Sequence, residues 1–265
     1  MAGKPTAAGI NIEAVTLVSY MNAWKRAWKW GHDQLIFSLY NLDMARQPRL
    51  DIASQIFHII NRSNARWNIF KSAQDFHGVL KSLTETLELI SIDIFAFCLM
   101  SNHWHFVIRP KGNGDMGRFF GKFTQKATQR WHAKHGTVGT GHLFQGRFKS
   151  FLVEKDNYFL QLVKYVEANA LRAGLVKKAE DWQWSSLYLR NNNPEFAKQI
   201  LSPWPIDMPK NYISLVNQPL SKFYLNTIRG SVEKSRPLGS EGWVKQQVNK
   251  YDLGYTLREP GRPKV

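Results

Sequence analysis

At residues 98–107 the chain reads CLMSNHWHFV, in which two apolar runs flank a short polar break. The break is Ser101-Asn102, a pair that favours turns, and the runs on both sides are rich in residues that favour strands. We therefore predict a strand at 91–100, a second strand at 103–109, and hairpin pairing between them. This hairpin is the central feature of the predicted fold.

Two histidines lie on the second strand with one residue between them. Side chains two apart on a strand point to the same face, so His103 and His105 share a face with Val107. The opposite face receives three large apolar side chains, which are Trp104, Phe106 and Ile108. Burial of that trio in a core would project both imidazoles together from the other face of the sheet.

Regular patterns on both sides of the hairpin predict the remaining elements of a small domain. They are, in chain order, a strand at 55–60, a helix at 73–90, a helix at 115–134, a strand at 147–153 and a helix at 157–172. The order β-α-β-β-α-β-α predicts an α+β fold, an antiparallel sheet with helices on one face. Chain breakers and short helical patterns after about residue 190 predict a small, mostly helical C-terminal region.

These patterns divide the chain into three segments. We predict an N-terminal extension at 1–43, a domain at 44–190, and a C-terminal region with a basic tail at 191–265. The extension places tryptophans among basic residues. It is interpreted as an amphipathic helix packed on the domain, as a stretch without a native role, or as translation from a start codon upstream of Met44.

The composition indicates a polyanionic partner. Thirty-six Lys and Arg residues against 20 Asp and Glu residues give a net charge of +16, which attracts nucleic acid or an anionic membrane surface. No stretch approaches the roughly 20 apolar residues that span a bilayer, and the start lacks the pattern of a secretory signal. The single cysteine, Cys98, excludes internal disulfides and Cys-rich zinc sites. We expect a cytoplasmic protein that binds no membrane, in which Cys98 is a buried small hydrophobe.

A second pair of polar residues could complete a site with the histidines. On the helix at 157–172, Tyr165 and Asn169 are four residues apart and therefore lie on one face. Two neutral imidazoles and an amide oxygen from Asn169 would suit Mg²⁺ or Mn²⁺. Tyr165 would then be a nucleophile whose attack on a phosphate gives a phosphotyrosine link, with the ion offsetting the developing charge.

Each of these residues also has a plainer interpretation. The histidines would otherwise be surface residues, Tyr165 a packing residue at a helix–sheet contact, and Asn169 an exposed amide. Tyr158 lies two helical turns before Tyr165 on a similar face, but the residue four after it is Leu162, which cannot hold a metal. Tyr165 is therefore the better candidate for the nucleophile.

Basic residues lie near these positions. Arg147 and Lys149 flank Phe148, a mixture that can clamp phosphates and stack on a base. Lys164 and Arg172 lie on either side of the candidate tyrosine along the chain. These four cations are predicted to bind nucleic acid, and each could equally be a solvated surface charge.

The block at 98–107 resembles the HUH motif region of the single-tyrosine transposases, in which one apolar residue separates two metal-binding histidines. Two later blocks, at 141–150 and 165–176, are similar to the REP-associated tyrosine transposases, a branch of that superfamily. Met44-Ala45-Arg46 and residues 236–241 are also similar to that branch. The resemblance thus covers about 44–265, with its motifs in the same order.

The resemblance implies a ferredoxin-like HUH fold, a divalent metal, and cleavage of single-stranded DNA near a hairpin. It implies His103 and His105 as metal ligands and Tyr165 as the nucleophile. Asn169 stands at the position of the third ligand.

Two departures from that pattern concern the site. Trp104 is bulkier than the usual residue between the histidines, and Ala168-Asn169-Ala170 replaces a commoner Asn-Pro pairing, which puts the helix geometry there in question. In the tail, Gly261-Arg262-Pro263 resembles the core of an AT-hook, which implies that Arg262 binds in a minor groove.

The leading hypothesis is an enzyme that nicks and rejoins single-stranded hairpin DNA, without a small-molecule substrate, as a monomer or a dimer. Two alternatives stay open, a catalytically silent hairpin-binding module and a metal-dependent nuclease that uses activated water. A large separation between Tyr165 and the histidines would favour the silent module. An activity that survives the loss of Tyr165 would favour the nuclease.

Overall fold

The computed structural model describes residues 49–258. The domain elements are β1 (Ile56–Arg62), α1 (Ala73–Leu87), β2 (Ile92–Leu99), β3 (His103–Pro110), α2 (Asp115–His135), β4 (Lys149–Val153), α3 (Asn157–Glu167) and α4 (Asn169–Arg172). The predicted order β-α-β-β-α-β-α is confirmed. The predictions for 1–43, for Met44-Ala45-Arg46 and for Arg262 lie outside the described residues.

Short helices follow α4. The first, α5 (Ser186–Asn192), begins within the predicted domain, and the described part of the C-terminal region predicted at 191–265 contains short helices, as predicted, which are α6 (Pro194–Ile200), α7 (Tyr212–Asn217), α8 (Lys222–Lys234) and α9 (Glu241–Lys250). Short 3₁₀ turns lie at Asn64–Arg66, Ala179–Asp181 and Gly254–Leu257. None of the helices between residues 49 and 258 has the length and apolar character needed to cross a membrane.

The four strands form one antiparallel sheet in the order β2-β3-β1-β4. The predicted β2–β3 hairpin is confirmed, with Leu99 opposite Trp104 and Cys98 opposite His105. Strand β1 pairs with the other side of β3, which places Arg62 opposite His103. The histidine-bearing strand is therefore internal to the sheet, where its position is fixed by neighbours on both sides.

One face of the sheet packs against α1 and α2. Trp104, Phe106 and Ile108 are buried on this face, as the alternation of β3 predicts. Trp104 is only 1% exposed and stacks on Phe120 of α2 with ring centroids 5.5 Å apart. A tryptophan therefore fits between the two histidines in the sequence because its side chain packs against the aromatic side chains of α2 on the opposite face of the sheet.

The opposite face packs against α3. Val107 and Phe151 are buried there with Leu162 and Val166 of α3. The prediction of helices on one face holds for α1 and α2, and α3 adds a second layer on the other side. The physical reason is that β2, β3 and β4 also bear apolar residues on this face, and these require cover from water. Cys98 belongs to this layer and is fully buried, as expected.

The helix predicted at 157–172 is divided at Ala168, whose backbone angles are φ −80° and ψ 8°. Helical hydrogen bonds continue through the division, from the Ala168 amide to the Lys164 carbonyl and from the Arg172 amide to the Ala168 carbonyl. The division is therefore a local bend that leaves Tyr165 and Asn169 facing the same part of the sheet.

A buried carboxylate joins α3 to the C-terminal region. Glu167 is fully buried and forms an ion pair with Arg190 of α5. Its carboxylate oxygens also accept 2.5 Å hydrogen bonds from the hydroxyls of Ser186 and Tyr212. Because the C-terminal helices hold Glu167 in this way, they also fix the rotation of α3 about its axis.

Candidate active site

The face of the sheet that packs against α3 ends in a cluster of polar side chains. Strand pairing places Arg62 opposite His103, and Ile60 opposite His105. The next row contains His58 opposite Val107. Side chains in these rows share one face, so three imidazoles and one guanidinium converge at this end of the sheet.

His103 is held by the turn that precedes it. Its Nδ1 lies 2.6 Å from the side-chain oxygen of Asn102, which can only accept a hydrogen bond, so Nδ1 carries the proton. The lone pair of a neutral His103 is then on Nε2, the nitrogen that faces Asn169. Burial lowers the pKa of His103 to about 4, with further contributions from the charges of Arg62 and Arg172. The ring is neutral at pH 7, as a metal ligand must be.

His105 is almost completely buried and is hydrogen-bonded to a third histidine. Its Nδ1 lies 2.9 Å from Nε2 of His58. Burial holds the pKa of His105 well below its ordinary value, and burial also lowers that of His58 to about 3. Both rings are therefore neutral at pH 7. The Nε2 of His105 is the nitrogen that remains for a metal.

The sequence interpretation did not single out His58. The sequence shows His58 only as a polar residue inside the apolar run at 55–60. Its contact with His105 depends on the pairing of β1 with β3, which the sequence does not reveal. Arg62 was missed for the same reason, since it lies in a turn-prone segment far from His103 in sequence.

Tyr165 reaches the histidines from α3. Its ring centroid lies 5.9 Å from that of His105, with the two planes nearly perpendicular. The residue as a whole is 9% exposed, so the tyrosine is packed against the sheet. Tyr158 lies elsewhere on the helix, with its ring 5.9 Å from that of Tyr224 in α8. The structure thus brings Tyr165, and not its rival, to the imidazoles.

Asn169 reaches the same place from the start of α4. Its amide nitrogen lies 3.4 Å from Nε2 of His103, and its amide oxygen accepts a 3.2 Å hydrogen bond from Arg172. A half-turn of the amide would direct the oxygen at the space beside His103. In the described part of the chain no group of three or more His, Cys, Asp or Glu side chains is arranged to hold a metal. A site here would therefore use two imidazoles and the Asn169 amide.

These donors fit a divalent cation. In each histidine, Nε2 is the nitrogen that would bind the metal. The Nδ1 of His103 is hydrogen-bonded to the amide oxygen of Asn102, and the Nδ1 of His105 is hydrogen-bonded to the His58 imidazole. Ligating histidines in proteins are held in this way by a partner of the second ring nitrogen. The amide oxygen is a donor that suits Mg²⁺ or Mn²⁺, whereas the two imidazoles are donors that also suit Zn²⁺ and other transition metals.

The predicted DNA-binding cations are not all in one place. Arg172 lies over the ring of Tyr165, and Lys149 shares the row of His105 and Ile60 across the sheet. Lys164 is partly buried, and its burial lowers its pKa. Arg147 is exposed and lines a separate groove of about 650 Å³ between α2 and the loop at 141–148. Arg172 and Lys149 thus belong to the histidine face, and Arg147 does not.

A family model described as "Transposase IS200 like" matches residues 51–169. The matched segment contains β1 and both histidines, and its last residue is Asn169. No curated protein matches the chain.

Two solved structures show weak likenesses. One is a REP-associated tyrosine transposase bound to a REP hairpin, at 16% identity and a TM-score of 0.47, with 67% of this chain and 96% of that chain covered. Another is a putative transposase from Deinococcus radiodurans R1, at 13% identity and a TM-score of 0.34, with 46% and 95% covered. Residues 51–169 make up less than half of the chain, yet they hold the sheet, the histidines and the tyrosine, and this segment is similar to the IS200-like transposases.

Proposed function

We propose that this protein is a transposase, a metal-dependent DNA strand-transferase of the REP-associated branch, which nicks and rejoins single-stranded DNA at hairpins through a phosphotyrosine intermediate. The observation that carries the proposal is the contact of Tyr165 with His105, at a ring separation of 5.9 Å, while Asn169 contacts His103. One helix segment thus presents a nucleophile and a third donor to the same pair of imidazoles.

The positions of the side chains suggest separate roles in metal binding and in nucleophilic attack. His103, His105 and Asn169 would hold Mg²⁺ or Mn²⁺. A divalent cation bound there would polarise a phosphate oxygen and offset the negative charge that develops during attack. In the attack, the Tyr165 hydroxyl oxygen forms a bond to phosphorus as the bond to the departing sugar oxygen breaks. The phenol proton ends on that sugar oxygen, so the transfer is reversible and conserves the bond for rejoining.

Arg172 is suited to position the reacting groups. Its Nη1 donates a 2.5 Å hydrogen bond to the carbonyl oxygen of Tyr165, and its guanidinium lies over that ring. The guanidinium has five N–H donors in one plane, and not all of them are used in these contacts. The remaining N–H groups can donate hydrogen bonds to the oxygens of a phosphate.

A single strand of DNA would meet further cations on this face. Arg62 lies opposite His103, and Lys149 lies in the row of His105. Together with the net charge of +16, they supply the sequence-independent attraction to a phosphate backbone. The hairpin as substrate and the REP-associated branch are proposed from the similarity of the blocks at 141–150 and 165–176.

The two alternatives make different use of this geometry. A silent hairpin-binding module has no need for a tyrosine packed against metal-competent imidazoles, and the short separation of Tyr165 and His105 favours the enzyme. A nuclease that uses activated water would need the histidines but not Tyr165. The two enzymes differ in whether a covalent adduct forms.

Incubation with end-labelled single-stranded hairpin DNA and Mn²⁺, followed by a denaturing gel, tests the proposal. The wild-type chain and Tyr158→Phe are expected to give a labelled covalent protein–DNA band, and Tyr165→Phe and His103→Ala to give none. Tyr158→Phe is the matched control because it removes a hydroxyl from the same helix. Cleavage without an adduct would identify the nuclease, and an adduct that persists in Tyr165→Phe would refute the proposed nucleophile.

A further inference from the structure

We propose that His58 is a positioning residue of the candidate metal site, which fixes the ring orientation of His105 and determines which of its nitrogens is free to bind the ion. The inference rests on the proposed function, since it concerns the same metal. It is drawn from the hydrogen bond of 2.9 Å between His58 Nε2 and His105 Nδ1.

Packing holds both rings in this arrangement. His58 is fully buried, and its ring lies against His105 at a centroid separation of 5.0 Å and an angle of 28°. On its other side, Phe151 of β4 lies 4.8 Å away. His58 and His105 are diagonal neighbours across the β1–β3 ladder, because His58 pairs directly with Val107. Neither ring can turn without disturbing the packed sheet face.

Only one proton can occupy the hydrogen bond between two neutral imidazoles. If it is on His105 Nδ1, then His105 Nε2 has a free lone pair and can bind a metal. If it is on His58 Nε2, then His105 bears its own proton on Nε2, where a metal would have to bind. The position of this shared proton therefore decides whether His105 is a ligand.

The environment of His58 Nδ1, the ring nitrogen that does not face His105, indicates which histidine holds the shared proton when no metal is bound. Within residues 49–258, the buried His58 Nδ1 has no hydrogen-bond partner. A buried N–H without an acceptor is rarer and costlier than a buried acceptor without a donor. The metal-free protein therefore keeps the His58 proton on Nε2 and leaves Nδ1 as a bare lone pair.

Binding of a cation to His105 requires the opposite arrangement. The shared proton then belongs to His105 Nδ1, and His58 accepts it at Nε2 and bears its own proton on Nδ1. The two rings hold two protons before and after the exchange, and nothing is oxidised or reduced. Metal binding thus switches the tautomers of both rings, and His58 serves as the acceptor that holds His105 in its ligand form.

Nitrogen NMR of the full chain with ¹⁵N-labelled histidine detects this switch. In EDTA, His58 Nδ1 is expected to give the signal of an unprotonated imidazole nitrogen. After saturation with Mg²⁺, which is diamagnetic, the same nitrogen is expected to give the signal of a protonated one. A His58 Nδ1 signal that does not change on saturation would overturn the inference, whether or not the protein cleaves DNA.

Matched variants test the same inference by affinity. Titration with Mn²⁺, followed by electron paramagnetic resonance, is expected to show about 10–100-fold weaker binding for His58→Phe, which keeps the ring packing but offers no acceptor. His58→Gln, whose amide oxygen can accept from His105, is expected to recover most of the affinity. A merely structural role would not distinguish Gln from Phe in this order.

His132→Gln is the control variant, because His132 Nε2 is also buried without a partner in the described residues but lies on α2, away from the histidine cluster. It is expected to bind Mn²⁺ as the wild type does. Equal affinity of wild type and His58→Phe would refute the role of His58 while leaving the proposed metal site intact. A wild-type chain that binds no Mn²⁺ would instead refute both.

Discussion

The guanidinium carbon of Arg172 lies 4.0 Å from the ring centre of Tyr165, and the same guanidinium donates to the amide oxygen of Asn169 at 3.2 Å. One cation therefore contacts both the candidate nucleophile and the candidate third ligand. Its charge also contributes to the lowered pKa values of His103 and His105, after the larger effect of burial. Arg172 thus places a positive potential at the point where a metal and a phosphate would both bind.

The loss of this charge should affect metal and DNA in opposite directions. In Arg172→Ala, we expect Mn²⁺ to bind more tightly, because a divalent cation no longer meets a fixed positive charge and the Asn169 oxygen is released. We expect single-stranded hairpin DNA to bind more weakly, and the negative slope of log K against log salt to become shallower by about 0.7, as for one lost phosphate contact. Mn²⁺ titration and fluorescence anisotropy at several salt concentrations measure the two effects.

Arg118→Ala provides the comparison for that experiment. Arg118 is an exposed cation on α2 that pairs with Asp115, away from the histidines. It should leave the Mn²⁺ affinity unchanged. Weaker Mn²⁺ binding in Arg172→Ala than in wild type would contradict the predicted repulsion between Arg172 and the ion, and unchanged DNA binding would contradict the assignment of Arg172 as a phosphate-binding cation.

Asn102 is predicted to control the metal affinity of His103. Its side-chain oxygen is 2.6 Å from His103 Nδ1, and it is the group that directs the His103 lone pair towards the site. Asn102→Ala should weaken Mn²⁺ binding by about 10–100-fold, since ligating histidines depend on such partners. Ser101→Ala removes a neighbouring hydroxyl, which bonds Asn68, and should leave the affinity unchanged. Equal affinities in the two variants would show that Asn102 does not orient the ligand.

Glu167 is predicted to be a major contributor to stability. Glu167→Ala leaves Arg190 without its carboxylate partner in a buried setting and removes the acceptor of the Tyr212 hydroxyl. The loss of one partner of a buried pair costs about 3–5 kcal/mol, and urea unfolding should show a decrease of that size. Glu195→Gln breaks the exposed pair with Lys198 and should cost less than about 1 kcal/mol. Similar losses in both variants would contradict the importance of the buried network.

The metal-free protein should lose stability on mild acidification. Burial lowers the pKa of His58 in the folded state to about 3, while in the unfolded chain it returns to its ordinary value near 6.5. Between these values the unfolded state binds more protons, so the free energy of unfolding falls as the pH falls from about 6.5 towards 3. The slope for one such histidine is at most about 1.4 kcal/mol per pH unit.

Urea unfolding in EDTA at several pH values between 7 and 4 measures this slope. His58→Phe should show a shallower dependence than wild type, because one buried neutral imidazole has been replaced by a group that does not titrate. Identical slopes for wild type and His58→Phe would contradict the lowered pKa.

Short-range patterns of the sequence were sufficient for much of the fold and for part of the site. The alternation of β3 predicted the buried set of Trp104 and its neighbours and the shared face of His103 and His105, because side-chain direction on a strand is fixed locally. The spacing of Tyr165 and Asn169 predicted that they would face the same way, for the same reason on a helix. Their roles in metal binding and attack stay predictions.

Tertiary structure decided what those residues meet. The register between β1 and β3 brings His58 and Arg62 to the histidines, and strand register depends on the packing of the whole sheet rather than on either strand alone. The docking of α3 on the face opposite α1 and α2, held by Glu167, determines that Tyr165 approaches His105. The sequence by itself determined the identity and direction of the candidate site side chains. Only the long-range packing of strands and helices determined their partners, because contacts between distant segments have no local pattern.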